Sequence, residues 1–443
     1  MSAGDDQPDS WALAVLVFDP LYGRFVLPPA AAALVATPEF RRLSQIRLLN
    51  TISPTLATLG EVRRYSHTLG VVRLECLWER RPENEYSRGQ LDALQAAIIL
   101  HDIGTPPFGH LFEYILKEAK GWDHESVITD ILHGRHVAEN RGHQIYAGNT
   151  LKIIEVLDGA GIDLMLVGSI IERRHPLSSL ILGSLDFDNI DNVVRMALFL
   201  GLGNYASLAK DLAASISVNS RGDLVCDEGN VDLIEEWAGV RKSVYEVLVF
   251  DELTVSAQAV LTKAIKIALR NDVLSADDWA LTDEELLRRL LGSRETKDLI
   301  KLHYLGRLPA PVLTVQLNAS FREIWSEGTD NFLEEINRIA SQHGVGKPLC
   351  YVFQENGAFG KEVEFVDPKT GSIWRHGKRT RSTVVYVFDQ NKCRVSRSGV
   401  LAILNELLIW LGCDMGLVQH AHLLGHKYDA GKQISIEYEI DGD

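Results

Sequence analysis

His67, the dipeptide His101-Asp102 and Asp188 supply two imidazoles and two carboxylates from three separate stretches of the chain. A two-nitrogen, two-oxygen donor set with open coordination positions suits one Lewis-acidic divalent cation that orients water and polarises a phosphoryl oxygen. Manganese, magnesium, iron, cobalt, nickel and zinc all fit such a set. Taken singly, each residue has a plainer role: a helix-terminal Asp caps, and a His beside an apolar helix makes a structural hydrogen bond. Because the four are far apart in sequence, rigid elements must bring them together.

Those elements read as helices. LDALQAAIIL (91–100) is apolar and rich in helix formers, so it predicts a buried helix that delivers His101-Asp102 at its end. Gly104 and Pro106-Pro107 stop it, and Gly104 is expected to supply the backbone freedom that two adjacent ligands need. A second helix begins at Asp188, where Asp188, Asp191 and Arg195 share one side while Ile190, Val193, Val194 and Ala197 form the apolar side. Around His67 the later apolar spacing predicts a third helix, which places Arg64 on the same face as the histidine.

A histidine, an HD pair closing an apolar helix and an aspartate opening a later helix form the arrangement of the HD-domain phosphohydrolases. The chain resembles their dNTP triphosphohydrolase branch over about residues 15 to 200. The resemblance rests on FDPLYGRFVLP (18–28), TPEFRRLSQIRLL (37–49), RRYSHTLGV (63–71), HDIGTPPFGHLFE (101–113), WDHES (122–126) and LDFDNIDNVVR (185–195). An isolated HD carries little information, whereas HDxGxxPFGHxxE followed by WxHE is specific. The resemblance implies that His67, His101, Asp102 and Asp188 hold the metal and that Arg64 meets a substrate phosphate. His110, Glu113 and His124 would be the catalytic side chains. It also implies a nucleotide substrate and a homo-oligomer.

The chain departs from that branch at several positions. Thr105 stands where a further histidine is usual, and a hydroxyl carries no charge at neutral pH. Leu48 and Met196 replace polar sugar contacts. Asn192 stands for the tyrosine beside the sugar and Asn189 for a phosphate-binding lysine, while Arg241, with Lys242 and Tyr245, partly matches a phosphate-holding segment. Ala36, Arg41 and Ser44 replace the guanine-activator contacts, and Arg41 and Arg42 read as a solvated helix face. A helix surface is likewise the plainer reading of Arg241.

With 443 residues and 46% hydrophobic content the chain can bury a large core, and no stretch is apolar enough for a membrane helix. Residues 11–18 (WALAVLVF) lack the flanks of a secretory signal and predict a β-strand. Five dispersed cysteines without CxxC point to a reducing, cytoplasmic setting. A net charge of −15 disfavours nonspecific nucleic-acid binding. The expected fold is a mainly α-helical HD-domain core, residues 1–300, followed by a smaller α+β region, residues 301–443, with a regulatory or oligomerisation role. Helices are expected over 237–269 and from Thr282-Asp283-Glu284-Glu285 onward, and strands in PLCYVF, KEVEFVD, STVVYVF and ISIEYEI. Arg375, Lys378, Arg379 and Arg381 form a basic cluster, read first as an exposed hairpin tip and alternatively as a phosphate contact. Three activities remain open: dNTP triphosphohydrolase, an HD-type nucleotide phosphatase or phosphodiesterase using the same metal, and a non-hydrolytic nucleotide sensor or nucleic-acid-binding protein.

Overall fold

The computed structural model describes residues 15–51, 53–80, 85–122, 124–134, 152–319, 321, 329–392, 395–423 and 426–429. The run 91–100 lies in a helix, Arg88–Leu100, started by a reciprocal cap between Ser87 and Gln90. It packs against the Arg64–Glu79 helix, and that helix packs in turn on Phe187–Phe199. These three helices carry the four candidate ligands.

Leu94, Ala97, Ile98, Val71, Val72, Ile190 and Val194 are among the residues of one hydrophobic core that runs from Leu21 to Ile300 and also takes in Val363 and Phe365. Burial on this scale dominates the favourable side of folding. It fixes which helix faces turn inward, and therefore where the polar residues between the apolar ones must point.

The α+β expectation for the C-terminal region holds. Five strands among the described residues form an antiparallel sheet in the order His426–Asp429, Val418–Leu423, Ala310–Leu317, Arg381–Asp389, Pro348–Asn356. Helices Thr329–Gln342 and Arg397–Trp410 supply residues to a second core with this sheet. The other sheet face meets the Glu252–Arg270 helix through Val255, Ala259, Val260, Val384, Tyr386 and Phe388. A four-stranded sheet orders Ile216–Val218, Leu224–Cys226, Val363–Val366 and Ile373–His376, with Val225 pairing in parallel with Val366.

The first strand is Leu16–Asp19; residues 11–14 and the ISIEYEI segment lie outside the described residues. The span 237–269 falls in two helices, Val231–Phe250 and Glu252–Arg270, because Asp251 breaks the first and caps the second by accepting from Thr254 N. Thr282 and Glu285 form the predicted capping box of Asp283–Gly292. No helix among the described residues is long and apolar enough to cross a membrane.

Candidate metal centre and histidine pair

His67 lies one turn into its helix, fully buried, with both ring nitrogens engaged by carboxylates of the Phe187–Phe199 helix. Nε2 is 2.8 Å from Asp188 Oδ1 and Nδ1 is 2.7 Å from Asp191 Oδ2. His101, the C-cap of Arg88–Leu100, places Nε2 3.2 Å from the same Asp188 oxygen, while its Nδ1 donates to the Ile98 carbonyl at 2.7 Å. Asp102 stands beside this cluster, with Oδ2 4.0 Å from His101 Nε2. Its Oδ2 accepts from Arg64 Nη1 at 2.8 Å and its Oδ1 from the Thr105 hydroxyl at 2.9 Å.

The electrostatics follow from this crowding. Burial pulls the His67 imidazole down, but Asp188 and Asp191 outweigh it and hold it at about 9. The same contest, with Asp102 and Asp188 opposing burial, leaves His101 at about 9. Asp188 lies well below the usual carboxylate range despite burial, because of the two imidazoles.

With the side chains so placed, no three or more His, Cys, Asp or Glu among the described residues form an open metal cradle; Asp188 Oδ1 closes directly on both imidazoles. The donor chemistry nevertheless fits a divalent cation. Each imidazole turns Nε2 to a common centre, and its outer nitrogen is held by Asp191 or by the Ile98 carbonyl, the kind of support that orients metal-binding histidines.

Behind His67 the support continues inward. Asp191 accepts from Arg195 Nε and Nη2 at 2.8 and 2.9 Å, and Arg195 Nη1 reaches Asp19 Oδ2 at 3.0 Å. Gly70 makes room for this pair, since a Cβ there would lie 2.2 Å from Asp191 Oδ1 and 2.3 Å from Arg195 Nη2. The spacing of Asp188, Asp191 and Arg195 indicates one helix side; that the side is buried against His67 is a tertiary fact.

His110 and His124 meet at Glu113. His110 Nδ1 is 2.8 Å from Glu113 Oε2 and His124 Nδ1 is 2.6 Å from Oε1, so one carboxylate bridges both rings. Burial alone would raise Glu113, but the hydrogen bonds from the two histidines hold it well below the usual range. The His110 and His124 side chains remain 59% and 33% exposed, open to a ligand. Glu113 is also near enough to Arg64 to act on its charge, which ties this pair to the Asp102 side of the cluster.

The loop between the two groups is held from outside. Arg42, 3% exposed, donates from Nη2 to the Ile103 and Thr105 carbonyls at 2.9 and 2.6 Å, and from Nη1 to the Leu281 carbonyl at 3.1 Å. The solvated-face reading therefore holds for exposed Arg41 and fails for Arg42, because loop carbonyls unpaired by a helix need a donor. Phe108 and Gly109 have φ of 56° and 53°, and a Cβ at Gly109 would lie 2.7 Å from Arg64 Nη2. Gly104 does not adopt positive φ, which corrects its expected role. Its hydrogen-only side lets the loop approach the His124 carbonyl, 3.1 Å from where a Cβ would stand.

The other candidate contacts are dispersed. Asn189 turns back onto Asp186, the N-cap of its helix, with Nδ2 3.0 Å from each carboxylate oxygen. Asn192 Oδ1 is buried without a hydrogen-bond partner, and Leu48 and Met196 are buried. Arg241 is not on a helix surface. It is buried over the Tyr245 ring and donates to the Gly357 and Ala358 carbonyls. Next to that loop, Lys361, for which no local sequence signal exists, is drawn down to about 8 by burial against the opposing pull of Asp186; Arg241, Asp188 and Arg379 also act on it. In the basic cluster Arg375 pairs with Glu364 at 2.6 Å, and Lys378, Arg379 and Arg381 are exposed.

Comparison with known proteins gives three results. The HD domain profile matches residues 64–196. An uncharacterised Bacillus subtilis protein, YwfO, is 27% identical over 237 residues, 52% of this chain and 50% of its own length. The human deoxynucleoside triphosphate triphosphohydrolase SAMHD1 is 29% identical over 136 residues, 29% of this chain and 21% of its own length. The chain thus spans about half, or less, of the curated relatives it matches. Among solved structures, a phosphohydrolase from Bacteroides thetaiotaomicron superposes with a TM-score of 0.60 at 16% identity, covering 84% of this chain and 99% of its own, which supports the fold. The HD pair, His67 and Asp188 all fall inside the span matched by the HD domain profile, so residues 64–196 of the chain form an HD domain.

Proposed function

We propose that this chain is a metal-dependent nucleotide phosphohydrolase that hydrolyses a dNTP to deoxynucleoside and triphosphate. The observation that carries the reading is the convergence of His67, His101 and Asp188, with Asp102 beside them on Arg64 and the Glu113-bridged histidines alongside. Its distant similarity to the vertebrate enzymes named for this reaction supports the substrate class.

In this reading His67, His101, Asp102 and Asp188 hold one divalent cation, whose Lewis acidity would polarise the α-phosphoryl group. Arg64, its guanidinium fixed by Asp102, presents positive charge to the same phosphate, with Arg241 and Lys361 as further cations along the chain. Glu113 fixes the Nδ1 side of His110 and His124. Each Nε2 is then the ring atom able to pass a proton to the departing 5′ oxygen. Asn189 and Asn192 complete the proposed substrate contacts. The enzyme would act as a homo-oligomer in a reducing, cytoplasmic setting, consistent with free Cys76, Cys350 and Cys413.

One observation favours a second reading, an HD-type phosphatase or phosphodiesterase. Leu48 and Met196 are buried and apolar, so neither pairs with a sugar hydroxyl. Chromatography of products from the four dNTPs, their ribonucleotides and dNMPs with manganese separates the two. Deoxynucleoside plus intact tripolyphosphate, lost in Asp102→Ala, supports the triphosphohydrolase; stepwise orthophosphate release supports the phosphatase. Absence of turnover with either class would overturn both for these substrates.

A further inference from the structure

A cavity of about 480 Å³ lies between the segment 173–182 and the hairpin turn 220–222, outside the metal cluster. Arg173, Arg174, His175, Ser178, Ser179 and Arg221 line it. Three guanidiniums at one cavity stand out in a chain of net charge −15.

The local chain explains how they gather. Helix Leu164–Ile171 ends in a turn where Arg173 takes φ of 60° and Arg174 N donates to Ser169 O at 2.8 Å. A residue other than glycine in that conformation costs about 1 kcal/mol, and it sends consecutive arginines out of the helix end. His175 then caps the next turn, its Nδ1 accepting from Leu177 N at 3.2 Å, so the ring proton is on Nε2. The Ser179 hydroxyl donates to the Gly222 carbonyl at 2.6 Å, which fastens the hairpin turn and Arg221 across the cavity.

Two carboxylates partly neutralise the arginines: Glu172 accepts from Arg174 Nε at 2.8 Å, and Asp223 Oδ2 lies 3.2 Å from Arg221 Nε. Three cations against two anions leave an excess of positive charge. Ser178, a buried residue, completes the cavity wall.

We propose that this cavity binds a small anion carrying a chain of phosphate groups. Guanidinium edges and an imidazole N–H are donors suited to phosphoryl oxygens. The volume falls within the range of small-molecule sites and admits a free oligophosphate or a nucleotide. The site does not depend on the activity proposed above.

Hydrogen–deuterium exchange on the full chain tests it, without divalent cation so that nucleotides stay intact. The probes are inorganic tripolyphosphate, dATP and dGTP, each with wild type and Arg174→Ala/Arg221→Ala. Protection of peptides covering 172–182 and 219–224, with an apparent affinity weakened about tenfold or more in the double variant, supports the site. Protection by tripolyphosphate alone assigns a free phosphate chain, and protection only by the nucleotides assigns a nucleotide. No protection there at millimolar probe, or equal protection in both proteins, overturns the proposal. Peptides covering 101–113 report the metal cluster separately, so failure at one site is distinguishable from failure at the other.

Discussion

Asp283 Oδ1 accepts the backbone N–H of Phe108 at 2.8 Å, across 175 residues of sequence. The other oxygen of the same carboxylate takes Arg47 N at 2.9 Å and lies 3.3 Å from Arg47 Nη1. One fully buried carboxylate therefore anchors both the loop after the HD pair and the segment before Arg64. Its helix is built by the Thr282 cap, which places Asp283 at the first helical position.

Asp283→Ala leaves Arg47 and the Phe108 N–H without their partner. Removing one member of a buried pair costs about 3–5 kcal/mol. Denaturant unfolding should show a loss of that order, with reduced binding at the metal cluster because the 101–109 loop is released. A loss below about 1 kcal/mol would show that the anchor is unimportant.

Asp188→Ala and Asp191→Asn separate direct from supporting roles. Asp188→Ala should abolish metal retained through gel filtration, read by elemental analysis. Asp191→Asn should keep the site but weaken metal affinity by about 10–100-fold, because it acts on His67 Nδ1 from behind. Equal retention in Asp188→Ala and wild type would remove Asp188 from the ligand set.

Glu113→Gln removes the charge shared by His110 and His124 while keeping the shape. A kcat loss of about 10²–10⁴-fold with metal content unchanged is expected, since Glu113 contacts neither His67 nor His101. If kcat holds, the two imidazoles are not the proton donors.

Glu75 gives a pH signature away from the site. It is fully buried, accepts from Gln95 Nε2 at 2.9 Å, and burial raises it from 4.5 to about 8. A carboxyl raised on folding stays protonated in the folded state, so stability is lost as pH rises from about 4.5 towards 8. Glu75→Gln lacks this loss. The stability of the variant relative to wild type should therefore grow between pH 5 and 8, on the order of 2 kcal/mol. A difference that is flat with pH would refute it.

Gly70→Ala places a methyl at 2.2 Å from Asp191 Oδ1. Overpacking of this kind costs about 1–3 kcal/mol, and here it also pushes Asp191 off His67. Thermal unfolding and metal titration should both report the change; an unchanged metal affinity would show that Asp191 can shift without consequence.

The sequence by itself determined the helices and their polar positions. Apolar spacing over 91–100 and 190–197, the Thr282 cap and the HD loop are local patterns, read within one or two turns of chain. The same reading extends to the ligand candidates, since residue type and spacing are enough to mark His67, His101, Asp102 and Asp188. Tertiary structure alone decided which of their neighbours are buried. Arg42 and Arg241 have the local pattern of surface residues, yet each is held by carbonyls from segments 61 or more positions away. Asp283 and Lys361 carry no local mark, and Asp191 reads as one more acid on a helix face. Their partners lie on other elements, and a hydrogen bond or desolvation cost depends on what packing places within about 3 Å, a distance that composition and periodicity do not encode.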